Sequence, residues 1–274
     1  MTLPFFAYGI FKPGQLGFCQ LKELALEATQ SDQLCGTLLI RDGLPIVDEN
    51  GSGVVNGTLL SFDPSKAQDA YSRISALEPE HQYSWALRAQ TTNGIRVNVL
   101  YGRSPATGSV TCEEEWDGWK DPLFTTALEV IEETLNSNRI FEWDLKPLFR
   151  LQMAYLLLWS AIERYLSLRY YFGDCVSRKV ERLADEPAFG LRLQQYVDAC
   201  REVRRADDPS KKFVLDRLKP LKSVRYYYQV RCNIIHRGKG VVKDHDGVLK
   251  SLDELVQIFR GVLQAAREGA EPNI

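Results

Sequence analysis

The texture of this sequence changes once, near Pro147, and that change excludes one repeating architecture for the whole chain. Up to about Gly108 it consists of short apolar runs cut by glycine turns; beyond Pro147 it shows long stretches of helical spacing. Leu3–Gly9, Cys35–Ile40, Gly53–Phe62, Tyr83–Gln90 and Ile95–Gly102 are rich in Val, Leu, Tyr and Phe, which suit a pleated, half-buried surface. Asp42-Gly43, Asn50-Gly51 and Asn93-Gly94 supply turns between them. Helical spacing is confined there to Gln15–Ala28 and to Pro64–Leu77, where Ala67, Ala70, Tyr71, Ile74 and Leu77 share a face. In the second half, Leu148–Phe172 places Leu151, Tyr155, Leu158, Ile162 and Leu166 on one stripe. Further helices are expected over Phe189–Arg204, with Cys200 inward, over Leu221–Ile235 and over Leu249–Arg267. The expected fold class is α+β: a small mixed β-barrel followed by an all-α helical bundle. Domains are placed at 1–110 and 139–274, with an acidic linker or short helix over 111–138.

Charge follows the same division. Residues 1–138 hold 9 Lys/Arg against 18 Asp/Glu, and residues 139–274 hold 25 against 18. A polyanion is drawn to the second half and repelled by the first, unless the two halves neutralise one another. The start Met1-Thr2-Leu3-Pro4 lacks a basic n-region, and the longest uncharged apolar stretch, Leu151–Ile162, is too short to span a bilayer. A cytoplasmic protein with no membrane partner is expected. The six cysteines show no Cys-x-x-Cys spacing and read as buried free thiols. No cofactor or metal is expected, since Asp244, His245 and Asp246 form one acidic turn that reads as a helix N-cap region.

Several motifs of the first half occur in the order of a known family. Tyr8-Gly9-Ile10-Phe11-Lys12-Pro13-Gly14 opens the series, followed by Gly36-Thr37-Leu38, Gly43-Leu44-Pro45 and Val55-Asn56-Gly57-Thr58-Leu59. Ile74-Ser75-Ala76-Leu77-Glu78 and then Tyr83 close it. Over residues 4–103 the chain resembles the γ-glutamylcyclotransferase-like (AIG2-like) family. The resemblance implies that Glu78 shuttles a proton while the amine of a γ-glutamyl substrate attacks its own γ-carbonyl, releasing 5-oxoproline. It also implies that Tyr8, Tyr83 and the backbone of Gly9, Ile10 and Phe11 bind a small γ-glutamyl or other acidic ligand. The chain departs from the family pattern at Pro79, where Gly is usual, and at Trp85, where Arg is often found.

In the second half one stretch carries chemistry: Arg231-Cys232-Asn233-Ile234-Ile235-His236, followed by Arg237, Gly238 and Lys239. A permanent cation beside an imidazole that titrates near neutral pH is the minimum equipment for cutting RNA without a metal. Five residues of α-helix turn through about 500°, so Arg231 and His236 share a site only if His236 leaves the last turn or a second subunit contributes. With the helical texture around it, residues 140–268 resemble the HEPN superfamily, whose members commonly carry Arg-x4–6-His. The resemblance implies a metal-independent ribonuclease of the toxin or antiviral-effector kind, working as a homodimer on RNA. Arg231 then clamps the scissile phosphate, His236 protonates the leaving oxygen, and Asn233 fixes the imidazole or contacts the phosphate. Arg237 and Lys239 are placed in substrate binding.

Three functions follow from these residues. The helical half is a ribonuclease and the barrel a sensing or regulatory module; or Glu78 makes the protein a cyclotransferase with a dimerising bundle; or neither half is catalytic and the barrel binds a ligand. Glu163 is the acidic candidate to pair with Arg231 if that arginine is only structural.

Overall fold

The structure is a computed structural model that describes residues 3–26, 30–78, 80–112, 115–140, 145–172, 176–237 and 242–270, with backbone only at 176–178, 236–237 and 242–244. It separates into two compact units: Met1–Asp121 with Ser167–Gly173 and Gly269–Ile274, and Pro122–Leu166 with Asp174–Glu268. The fold is mixed α+β, with the sheets concentrated in the first unit. Among the described residues no helix is long and apolar enough to cross a membrane.

The first unit is built from β1 (Phe5–Ala7), β2 (Gln30–Cys35), β3 (Thr37–Arg41), β4 (Leu44–Asp48), β5 (Val54–Leu60), α1 (Ala67–Leu77), β6 (Tyr83–Gln90), β7 (Arg96–Gly102) and β8 (Val110–Thr111). Its main sheet has the order β2-β5-β1-β7-β6, and a second sheet runs β4-β3-β8. The expected barrel does not close. The edge strands β2 and β6 share no ladder, and the gap is bridged by the β6–β7 turn, where Thr92 N–H donates to Gln33 O at 2.9 Å and Asn93 Nδ2 to Asp32 Oδ1 at 2.8 Å. Two shorter differences have local causes. The run Cys35–Ile40 breaks at Gly36, whose φ of +148° favours glycine and whose absent Cβ would meet Asp48 O at 2.8 Å. The helix expected over Gln15–Ala28 shrinks to a single 3-10 segment, Leu16–Gln20, and Ala25 instead bridges to Phe62. The core gathers Phe6, Leu34, Val47, Val55, Leu59, Val97 and Val99 from five strands, with Tyr8 just beyond β1.

The second unit holds α2 (Thr126–Ser137), α3 (Lys146–Arg169, whose last turn groups with the first unit), α4 (Pro187–Tyr196), β9 (Arg201–Arg204), β10 (Lys212–Leu215), α5 (Pro220–Arg237) and α6 (Val242–Glu268). The α3 stripe of Leu151, Tyr155, Leu158, Ile162 and Leu166 is fully buried, as its spacing predicts. The region is not all-α. The helix read over Phe189–Arg204 ends at Tyr196, and Arg201–Arg204 pairs antiparallel with Lys212–Leu215 as a hairpin. The hairpin is fixed from below: Arg201 makes a two-pronged ion pair with Glu254 of α6, and Tyr227 Oη donates to the same carboxylate at 3.0 Å. Residues 126–137, within the segment read as an acidic linker or short helix, form α2 and pack on α6, with Arg260 Nε 2.7 Å from Glu132. The turn at Asp244–Asp246 lies inside α6, and His245 is fully buried there, 3.2 Å from Asp246. The described cysteines are exposed or half-exposed, contrary to the buried thiols expected.

Candidate functional site

In the first unit the structure brings together the residues to which the cyclotransferase-like resemblance gives a role. Tyr8, Gly9, Ile10 and Phe11 follow β1, Glu78 ends α1, Tyr83 opens β6, and all but Tyr83 line one pocket with Pro45 and Leu100. Glu78 is 9 % exposed. Tyr8 donates to Leu100 O at 2.6 Å and Tyr83 to Pro45 O at 3.0 Å. Burial first, and then the Glu78 charge, push both phenols well above their ordinary pKa, so they stay protonated beside the carboxylate. The space they enclose is about 10 Å³, room for one water. Pro45 closes it: its Cγ stands 2.5 Å from where a Gly9 Cβ would be. A γ-glutamyl chain does not fit in a space of this size.

A wider cleft of about 530 Å³ lies elsewhere in this unit, among Lys12, Asp32, Asn56, Asn93 and Glu115, and Glu78 is not among its lining. Lys12 is ion-paired with Glu115, and burial lowers its pKa. Trp85, where the family often has Arg, packs edge-on against Phe5 and Tyr71 and donates to Ser75 at 3.3 Å. It serves the apolar wall and brings no charge to Glu78.

In the second unit α5 continues through Arg237, so position 236 has not left the helix. Positions 231 and 236 are therefore about 500° of rotation apart and do not share a face within one chain. The side chains of His236 and Arg237, and Lys239 altogether, lie outside the described residues. Arg231 is partly open, with its side chain 27 % exposed, its Nη2 3.7 Å from Glu163 Oε1 and its guanidinium over the Tyr228 ring at 5.4 Å. At that separation the carboxylate gives attraction but no hydrogen bond. Glu163 also acts on Lys179, whose pKa burial lowers and the Glu163 charge raises. Arg231 and Lys179 thus both feel this carboxylate.

Asn233 does something the sequence did not suggest. Its Oδ1 accepts from Ala206 N–H at 3.0 Å and from Gln229 Nε2 at 2.7 Å, while its Nδ2 donates to Arg204 O at 2.8 Å. It clasps the β9–β10 hairpin to α5. Of Lys211, Lys212, Lys219, Lys222 and Arg225, the basic residues able to face a nucleic-acid backbone, four are ion-paired: Lys211 with Asp208, Lys212 with Glu202, Lys219 with Asp216 and Arg225 with Glu181. Two of these pairs join residues three positions apart, while Lys212–Glu202 and Arg225–Glu181 join different elements and are marked by no local pattern.

Compared with known proteins, the chain matches no family model, no curated protein and no solved structure.

Proposed function

We propose that the helical unit is a metal-independent endoribonuclease that acts as a homodimer, with Arg231 holding the scissile phosphate and His236 supplying a proton to the leaving oxygen. The observation that supports this reading is the state of Arg231: partly open, set over the Tyr228 ring, and 3.7 Å from the Glu163 carboxylate, too far for a hydrogen bond. A phosphate oxygen would make the charge-assisted bonds that Glu163 does not. The continuous helix requires the imidazole to come from a second copy, which makes dimerisation part of the chemistry. Incubating the protein with RNA in chelator-treated buffer tests it. Cleavage should fall by roughly 10²–10⁴-fold in His236→Ala, the usual loss for a general acid or base. An unchanged rate would sink the reading.

A second reading has its own support in the convergence of Tyr8, Gly9, Ile10 and Phe11 with Glu78. On it, the first unit is a γ-glutamylcyclotransferase-like site seen closed, and Glu78→Gln abolishes release of 5-oxoproline from γ-glutamyl dipeptides. A wild-type protein inert on a broad panel of such substrates removes it. The small enclosed space ranks this reading second.

A further inference from the structure

We propose that the cavity between β9, α5 and α6 of the helical unit binds a neutral lactam-edged heterocycle, a ring that presents an N–H and a C=O side by side. The cavity measures about 400 Å³, within the range of about 300–1,000 Å³ found for small-molecule sites. Its walls are mainly apolar, from Val203, Tyr226, Val230, Ile234 and Val248.

One polar group in it is unexplained. Gln152 of α3 lines the cavity, is only 8 % exposed, and makes no hydrogen bond among the described residues. Its amide atoms are not among the fully buried unsatisfied ones, so they face the open space of the cavity and are free to pair with an occupant. A primary amide carries one donor and one acceptor on a single planar edge. Its complement is another edge with the reverse order, at matching spacing. An ordinary trans peptide points its N–H and C=O in opposite directions and cannot pair at both. A ring amide is locked cis and can.

Charge on the ligand is not called for. Glu202, Arg204 and Arg205 reach the cavity, but Arg204 is paired with Glu202 at 3.5 Å and Arg205 with Asp207 at 2.7 Å.

Gly247 adds an independent observation. It sits inside α6, where glycine weakens a helix, yet a Cβ there would meet nothing within 4 Å. Packing does not demand glycine at this position. Since Gly247 lines the cavity, its bare backbone leaves room for an occupant. The facing wall is held in place by the Asn233 clasp on Arg204 and Ala206. Arg231 is not among the lining residues, whereas Asn233 of the same helix is.

Two sources supply such an edge, a nucleobase and a cyclised dipeptide. Uracil and cyclo(alanyl-alanine), each beside its N-methylated form, are added to the full-length protein at up to about 10 mM and followed by saturation-transfer NMR and thermal shift. At least one parent ring should bind and raise the melting temperature, and its N-methylated form should bind at least tenfold more weakly. Uracil alone binding assigns the nucleobase source; the cyclic dipeptide alone assigns the peptide source. Gln152→Leu should lose at least tenfold in affinity while melting at or above wild type, an outcome a merely structural glutamine would reverse. Gly247→Phe should also lose binding with its helical content kept, and it decides the matter if Gln152→Leu does not fold. His236→Ala should bind as wild type does, whatever becomes of the nuclease reading. The proposal is overturned if neither parent ring binds, if N-methylation changes nothing, or if both cavity variants bind normally.

Discussion

Asp32 shows what a single side chain contributes to the open sheet of the first unit. It is 4 % exposed, at the edge strand β2, and its Oδ1 accepts from Gln33 N–H at 2.7 Å and from Asn93 Nδ2 at 2.8 Å. Burial by itself would raise its pKa, but hydrogen bonds from Thr91, Gln33 and Asn93 outweigh it and hold the carboxyl below its ordinary value. A depressed folded-state pKa gives stability that is present above the ordinary carboxylate range, near pH 4, and is lost as pH falls through the lowered value. Asp32→Asn should therefore cost about 1–3 kcal/mol at pH 7 in urea unfolding, with the difference from wild type vanishing in acid. A pH-independent difference would mean that shape rather than charge matters there. Nothing in the local sequence announced this role, because the donors from Thr91 and Asn93 come from a turn about 60 residues away. Glu78 was different: its identity and place at the end of α1 could be read from the motif, although the closure over it by Pro45 could not.

At the level of elements, the hairpin Arg201–Leu215 is the largest departure from expectation. Helical spacing carried α4 correctly as far as Leu193 and Val197, both buried, and then failed because Cys200 is exposed and Val203 alternates with charged neighbours. The alternation Arg201-Glu202-Val203-Arg204 is a strand signal of period two, but too short to stand out before its partner, Lys212–Leu215, is known. Asn233 joins this hairpin to α5 through three hydrogen bonds. Asn233→Ala should lower stability by about 1–3 kcal/mol, since it removes three hydrogen bonds and takes a partner from the buried Gln229. A catalytic asparagine gives the opposite pattern, with lost RNA cleavage at an unchanged melting temperature, so one variant measured both ways separates the roles. The α3 stripe needed no such help, because five apolar residues at helical spacing specify which face is buried whatever it packs against.

For the whole molecule, a nuclease built from two copies makes a prediction that one polypeptide cannot satisfy. If each site takes Arg231 from one subunit and His236 from the other, Arg231→Ala and His236→Ala are each inactive alone. Mixed in equal amounts and allowed to exchange, half the dimers pair unlike subunits and keep one intact site of two, so activity should return to about a quarter of wild type. Failure to complement, with exchange verified, rules out a shared site. By itself the sequence determined what depends on neighbours along the chain: the change of texture near Pro147, most of the strands and helices, the turns, and the identity of the residues able to hold a phosphate or move a proton. Only the tertiary structure decided that the sheet stays open, that Arg201–Leu215 is a hairpin, that Glu78 is sealed while a larger cavity lies beside α5, and that Asn233 is a clasp. Periodicity encodes which face of an element is apolar, whereas these features depend on which distant faces meet and how much space remains between them.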